Sequence, residues 1–229
     1  MAAPGADRIR VAQNVAASIA HELRNPVFAI VSSAQLLRYR ITDDPVIEKN
    51  LGRILRESER MNAFIAALLD FARPAPVRLT PADPDEVWDD VIAARQGILE
   101  GKSLKAMRTA PAARASCAVD VEQLGQAFMI ALDNAIDAAP AETDLQIESV
   151  VAPDGSWESR LTNRGPRIPP DTLAHAFEPL VTTKEGHTGI GLAIARRIIA
   201  DHGGSISLSS TETETRFAVA LPAAPAPLP

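Results

Sequence analysis

Apolar residues in the first third of the chain recur at helical spacing, and that periodicity restricts the segment to paired helices. From about Ile9 to Arg40, the residues Ile19, Leu23, Ile30 and Leu37 share one seam in steps of four and seven, which predicts a single long helix. Thr42, Asp43 and Asp44 then offer N-cap oxygens and Pro45 suits a first helical position, so a second helix is expected after a short turn. Within it Ile47, Leu51, Ile54, Ser58, Met61, Ile65 and Leu68 alternate in steps of four and three, the heptad spacing of a coiled-coil seam. The two helices read as an antiparallel hairpin. Leu55, Phe64, Leu69 and Phe71 lie off the seam and leave more apolar surface than one partner helix covers. A second hairpin from another copy supplies the cover, so the pattern predicts a homodimer through residues 9–73, closed as a four-helix bundle.

Arg73-Pro-Ala-Pro ends the hairpin, because proline lacks a backbone donor and turns the preceding residue away from helix. The expected division is residues 1–75 as the hairpin, 76–222 as a second domain and 223–229 as a disordered Pro/Ala tail. The second domain opens with an extended piece around Val77 to Thr80 and a helix capped near Asp83, followed by a helix from about Val121 to Ala139. Asp144 to Val151 and Trp157 to Thr162 read as strands joined by an Asp154-Gly155 hairpin turn. A further helix spans about Ile190 to His202 and stops at Gly203-Gly204, and strands Ser205 to Ser210 and Arg216 to Leu221 close the domain. This order gives an α+β two-layer sandwich.

A net charge of -6 and a pI near 5.3 argue against a nucleic-acid partner, since phosphate backbones are held by clustered Lys and Arg. The single cysteine, Cys117, reads as a small packed residue and requires no oxidising compartment. Apolar runs such as Ile190 to Ala200 are broken by charge well short of the ~20 residues of a membrane span. A cytoplasmic location without membrane contact is expected.

On the first helix, His21 is two residues from both Ile19 and Leu23, which at ~100° per residue turns it towards water. Glu22 sets a carboxylate beside the imidazole, able to accept the Nδ1 proton and sharpen Nε2 as a nucleophile. Asn25, one turn on, offers an amide to a water or a phosphoryl oxygen. Pro26 costs about 3 kcal/mol in an ordinary helix interior, and such an expense points to a site. Further on, Thr188-Gly189-Ile190-Gly191 directly precedes a helix, where glycines admit an oxyanion to unpaired N–H groups at the positive end of the dipole. An ordinary tight turn gives the same pattern. Asn134 interrupts an apolar helical stretch, either as a packed amide making local bonds or as an oxygen ligand for Mg²⁺.

His21-Glu22-Leu23-Arg24-Asn25-Pro26 closely resembles the phospho-acceptor box of sensor histidine kinases. Asp133-Asn134-Ala135-Ile136-Asp137-Ala138 is similar to that family's N-box, Phe177-Glu178-Pro179-Leu180 to its F-box, and His187-Thr188-Gly189-Ile190-Gly191-Leu192 to its second glycine box, all in family order. The resemblance reaches from the first helix to Leu221. It implies that the second domain is a Bergerat-type ATP-binding fold using ATP and Mg²⁺, with Asn134 as metal ligand. Asn134, Asp137, Asn163, Gly165, Thr183, Lys184, Thr188, Gly189, Gly191 and Leu192 are then the nucleotide-binding residues, with Thr183 and Lys184 on a short mobile lid.

The resemblance further implies that His21, assisted by Glu22, takes the γ-phosphoryl group of ATP and passes it to an aspartate on a response-regulator receiver domain. Glu22-x-x-Asn25 matches the family's phosphatase pattern. The first glycine box departs from the family: Asn163-Arg164-Gly165-Pro166-Arg167 has Asn163 where relatives carry the adenine-binding Asp, and Arg167 in place of a glycine. Asn163 keeps an accepting oxygen without charge. Arg167 either obstructs the base or contacts phosphate. Ile130 stands where many relatives have a first N-box asparagine. The alternative function these changes raise is a dimeric phosphotransfer and phosphatase module that binds nucleotide weakly. His175 and His202 read as structural, with His202 at a helix end that favours a cation.

Overall fold

The computed structural model describes residues 4–40, 44–72, 75–182, 184 and 189–224; within the hairpin, the side chains of residues 4–18, 21, 22, 40, 60, 63, 67, 70 and 71 are not among those described. The chain divides into two compact units, Met1–Ala75 with Lys184–Ile190, and Pro76–Thr183 with Gly191–Pro229.

In the first unit, helix α1 (Pro4–Arg40) continues through Pro26, and helix α2 (Pro45–Ala72) packs along it. Asp44 caps α2, its Oδ1 accepting from the backbone N–H of Val46 at 2.9 Å and of Ile47 at 3.2 Å. The buried seam is one stripe over from the expected one on α1. Ala20, Val27 and Ala34, seven residues apart, are buried against Leu51, Ser58, Ile65 and Leu68 of α2. Small residues let the two backbones approach, and the Ser58 hydroxyl is satisfied by donating to the Ile54 carbonyl at 2.8 Å. The expected seam residues Ile19, Ile30 and Leu37 are instead 43%, 45% and 49% exposed, and Ile54 and Met61 are exposed as well. These exposed apolar residues thus form a second stripe, separate from the intrahairpin seam.

The second unit is built on a five-stranded sheet. Strands β1 (Thr80–Ala82) and β3 (Cys117–Val119) pair apart from it, while β2 (Lys105–Thr109), β4 (Asp144–Val151), β5 (Trp157–Arg164), β6 (Ser205–Ser210) and β7 (Glu214–Leu221) assemble in the order β2-β4-β5-β7-β6. Only β2 runs parallel to its neighbour. Alternation buries Leu145, Ile147, Leu161, Phe217, Val219 and Leu221 beneath helices α3 (Pro84–Gly101), α4 (Val121–Ala138) and α6 (Gly191–Asp201); α5 (Pro170–Ala174) is a single short turn. At the centre Trp88 of α3 stacks on Phe128 of α4 at 4.2 Å between ring centroids, and Trp157 of β5 tilts against Phe128 at 5.9 Å.

Asp85, in the first turn of α3, holds three elements together. It is paired with Arg108 of β2 and accepts the Trp157 indole N–H at 3.0 Å, while Arg108 also donates to the Ser149 hydroxyl of β4 at 3.2 Å. The helix dipole favours a carboxylate there. Sequence periodicity gives no sign of this cluster, nor of β2, whose own Lys105, Arg108 and Thr109 mask the strand pattern. Two other expectations change. Strands β5 and β7 run on through Asn163↔Thr215 and Arg164↔Glu214, beyond the expected ends at Thr162 and Arg216. The Pro/Ala tail begins ordered, because Ala223 bridges to Cys117 and the Ala224 N–H donates to the Ser116 carbonyl at 2.7 Å. The exposed edge of β3 captures it; residues 225–229 lie outside the described residues.

Among the described residues, no helix is long and apolar enough to cross a membrane. Breaking the Asp85–Arg108 pair by Arg108→Leu leaves a buried, uncompensated carboxylate and is expected to lower stability by about 3–5 kcal/mol in urea unfolding. The double change Asp85→Asn with Arg108→Leu is expected to cost clearly less than the single one.

Candidate functional site

Helix α4 carries the site along one face. Ile130, Asn134 and Ala138 are four residues apart and so stack in a row spanning ~12 Å at 1.5 Å per residue. At its first end, α6 begins against Ile130: a Cβ on Gly191 would lie 3.2 Å from Ile130 Cγ2, so glycine brings the N-terminus of α6 close to α4. In the middle, Asn134 Nδ2 donates to the Ile130 carbonyl at 2.9 Å, which orients the amide with its oxygen turned from that carbonyl. At the far end, β5 runs into α4. A Cβ on Gly165 would fall 2.8 Å from the Ala138 carbonyl oxygen and 3.4 Å from Asn163 Nδ2, a separation that only glycine allows.

Asn163 is buried at 5% exposure, with Nδ2 donating to the Arg164 carbonyl at 2.8 Å; its oxygen is therefore the acceptor end. The Gly165 N–H donates to Thr213 at 3.1 Å and ties this corner to the β6–β7 turn. Beyond Gly165 opens a cleft of about 550 Å³ lined by Pro140, Arg164, Pro166, Thr213 and Glu214. Arg167, at the surface, donates from Nη1 to Glu212 Oε1 at 2.5 Å.

The fold therefore brings Asn134, Asn163, Gly165 and Gly191 together along α4, with the half-buried Leu192 following Gly191. Asp137 sits on the flank instead, paired with Lys102 Nζ at 3.3 Å, while Asp133 forms a two-pronged pair with Arg95 at 2.7 and 3.0 Å. These acids bind α4 to α3. Lys184 is half-buried, and Gly189 has a φ of 65°, a left-handed value that glycine adopts without strain. Thr183 and Thr188 lie outside the described residues. In α1, Asn25 and Pro26 are exposed one turn beyond His21; the side chains of His21 and Glu22 are outside those described.

Among the described residues, no group of three or more His, Cys, Asp or Glu is arranged to hold a metal. The donor present is the neutral Asn134 amide oxygen, which suits a hard cation that keeps its waters and takes phosphate oxygens as its other ligands. Burial pushes the Cys117 thiol up to about 11 and removes it as a nucleophile. The exposed His175 has its pKa raised by the hydrogen bond to Glu178. Sequence reading missed the Ile130 and Ala138 carbonyls as the groups that orient Asn134 and demand Gly165. Their signal was the four-residue spacing through Asn134.

Residues 12–76 match the family model described as the His Kinase A (phospho-acceptor) domain, and residues 119–225 match that of the histidine kinase-, DNA gyrase B-, and HSP90-like ATPase. Among curated proteins, the chain is 29% identical to the sensory histidine kinase/phosphatase NtrB of Rhizobium leguminosarum bv. phaseoli, covering 93% of this chain and 59% of the relative. It is 28% identical to the signal transduction histidine-protein kinase AtoS of Escherichia coli strain K12, over 90% of this chain and 34% of that one. This chain thus spans about three fifths of the NtrB relative and a third of AtoS. In fold it is similar to full-length ShkA in complex with AMPPNP, with a TM-score of 0.76 at 21% identity over 94% of this chain and 47% of that one. It is similar also to ThkA in complex with the response regulator protein TrrA, with a TM-score of 0.73 at 22% identity over 95% and 64%. The two domain matches occur in the order of the hairpin and the sandwich, and the chain belongs to the sensor histidine kinases, carrying their catalytic core.

Proposed function

We propose that this chain phosphorylates itself on His21 from ATP, transfers the group to an aspartate of a response-regulator receiver domain, and also dephosphorylates that receiver. The row along α4 carries the reading. Its length matches an extended nucleoside triphosphate, with an acceptor oxygen for an amino group at the Asn163 end, an amide oxygen at the middle and a helix N-terminus for phosphate at the Gly191 end. Asn134 is the residue to hold Mg²⁺, which when bound supplies neutralisation of phosphate charge.

In the transfer, an imidazole nitrogen of His21 forms a bond to the γ-phosphorus as the bond to the β,γ-bridging oxygen breaks and ADP leaves. Glu22 accepts the proton from the other ring nitrogen. Positioning supplies most of the rate, since little covalent chemistry is left for the protein. Passing the group to the receiver reverses the bond at His21. For the phosphatase activity, Asn25 orients water against the receiver's acyl phosphate; exposure of Asn25 on α1 supports this reading, as does the kinase/phosphatase relative NtrB.

The second apolar stripe of Ile19, Ile30, Leu37, Ile54 and Met61 supports homodimerisation through the hairpin, because a stripe of this kind is stable in water only when covered. A second reading, the nucleotide-weak transfer and phosphatase module, is favoured by one observation: Asn163 offers a neutral acceptor where a carboxylate would bind an amino group more strongly.

With labelled Mg-ATP, the wild-type chain is expected to become phosphorylated in an acid-labile, base-stable form. His21→Ala should abolish the label, and label retained on that variant refutes the assignment. Gly165→Ala forces β5 from α4, and we expect a stability loss of about 1–3 kcal/mol with nucleotide affinity reduced tenfold or more in calorimetric titration. Asn163→Asp is expected to tighten ATP severalfold in the same titration. Wild-type chain that dephosphorylates a receiver while taking up no nucleotide would establish the second reading.

A further inference from the structure

The histidine at the end of α6 is joined to the start of α4 by hydrogen bonds that admit only one state of the ring. His202 is 3% exposed. Its Nδ1 lies 2.7 Å from the Ile198 carbonyl oxygen, and its Nε2 lies 2.9 Å from the Asp120 backbone nitrogen. A carbonyl only accepts and a backbone N–H only donates, so the ring carries its proton on Nδ1 and accepts at Nε2.

Asp120 is itself a junction. Its Oδ1 caps α4 by accepting the Gln123 N–H at 3.1 Å, and its Oδ2 accepts the Arg78 N–H at 2.9 Å. The Arg78 bond is the main cause that holds the Asp120 carboxyl below its ordinary pKa. The backbone N–H of this residue, which the cap leaves over, is the group that His202 receives. Both features are distant from the chemistry, and neither is used by the mechanism above.

Their importance lies in where the two helices meet a second time. Helix α6 runs antiparallel to the first half of α4, its start resting on Ile130 through Gly191 and its end fixed to Asp120 through His202. An 11-residue helix is a rod of ~16 Å, and a rod held at two points can neither slide nor pivot. Ala193, Ile194, Ala195, Ile198 and Ile199 bury the helix along its length, and His202 adds the one directional bond at its end, where Gly191 offers no side chain to fix the start. We propose that His202 and Asp120 are positioning residues that aim the N-terminus of α6 at the phosphates, and so govern affinity for the phosphate part of the nucleotide separately from the base. This rests on the reading of the Gly191 end as the phosphate site. The base end depends on β5 and the far end of α4, which the pair does not touch.

The test is calorimetric titration of the full chain with Mg-ATP and with adenosine, well below each variant's melting temperature. His202→Leu is expected to weaken ATP about tenfold and adenosine less than twofold. His202→Gln, whose amide oxygen reaches the place of Nε2, should keep ATP within about threefold of wild type. A folded leucine variant that binds ATP normally, or loses ATP and adenosine alike, overturns the proposal. If the leucine variant does not fold, His202→Asn, which reaches the Ile198 side but not Asp120, takes its place with the same expectations. Wild-type chain that binds no ATP would instead refute the nucleotide reading. Amide exchange distinguishes that failure, because loss of the pair should release protection of the α6 amides beyond the first turn, which bond within the helix, with no nucleotide present, and unchanged protection there overturns the pair on its own.

Discussion

The approach of β5 to α4 at Gly165 is the constraint on which the sandwich's site depends. A single methyl at that position would press on the Ala138 carbonyl oxygen, a backbone atom that cannot swing aside. Contact at this corner fixes how far the strand end stands from the helix, and thereby where Asn163 lies relative to Asn134. The Asp85–Arg108–Trp157 cluster braces the sheet from the opposite end, with α3 bonded to both β2 and β5. Together they hold α4 between two fixed walls, so that its row of Ile130, Asn134 and Ala138 is presented with little freedom.

Much of this was legible in the residues. Helix starts near Pro45 and Asp83 were announced by capping oxygens, with a proline at the first, and the structure places α2 and α3 there and α4 from Val121 as expected. Strands β4 and β6 match their alternating pattern from end to end. What the pattern could not carry was burial between elements distant in sequence. Asp85 looks like one more acid in a helix's first turn, and only the fold sets it against Arg108 and Trp157. Likewise Asn163 is drawn into β5 by pairing with Thr215, a partner 52 positions away that no local rule identifies.

The hairpin shows a different limit. Heptad spacing identified two helices with apolar stripes but did not say which stripe each helix turns to the other. On α1 the buried stripe is the one with the smaller residues, Ala20, Val27 and Ala34, while α2 turns Leu51, Ser58, Ile65 and Leu68 inward. Ile19, Ile30 and Leu37 of α1 are left facing outward.

Burial of Cys117 has a practical side. As the one sulfhydryl of the chain, protonated at neutral pH and sealed beneath β1 and the ordered start of the tail, it is silent toward alkylating reagents while the sandwich stays folded. A cysteine introduced anywhere on the surface would then be the sole target for a fluorophore or spin label. The native chain is already a single-label background for spectroscopy on the hairpin and the sandwich alike.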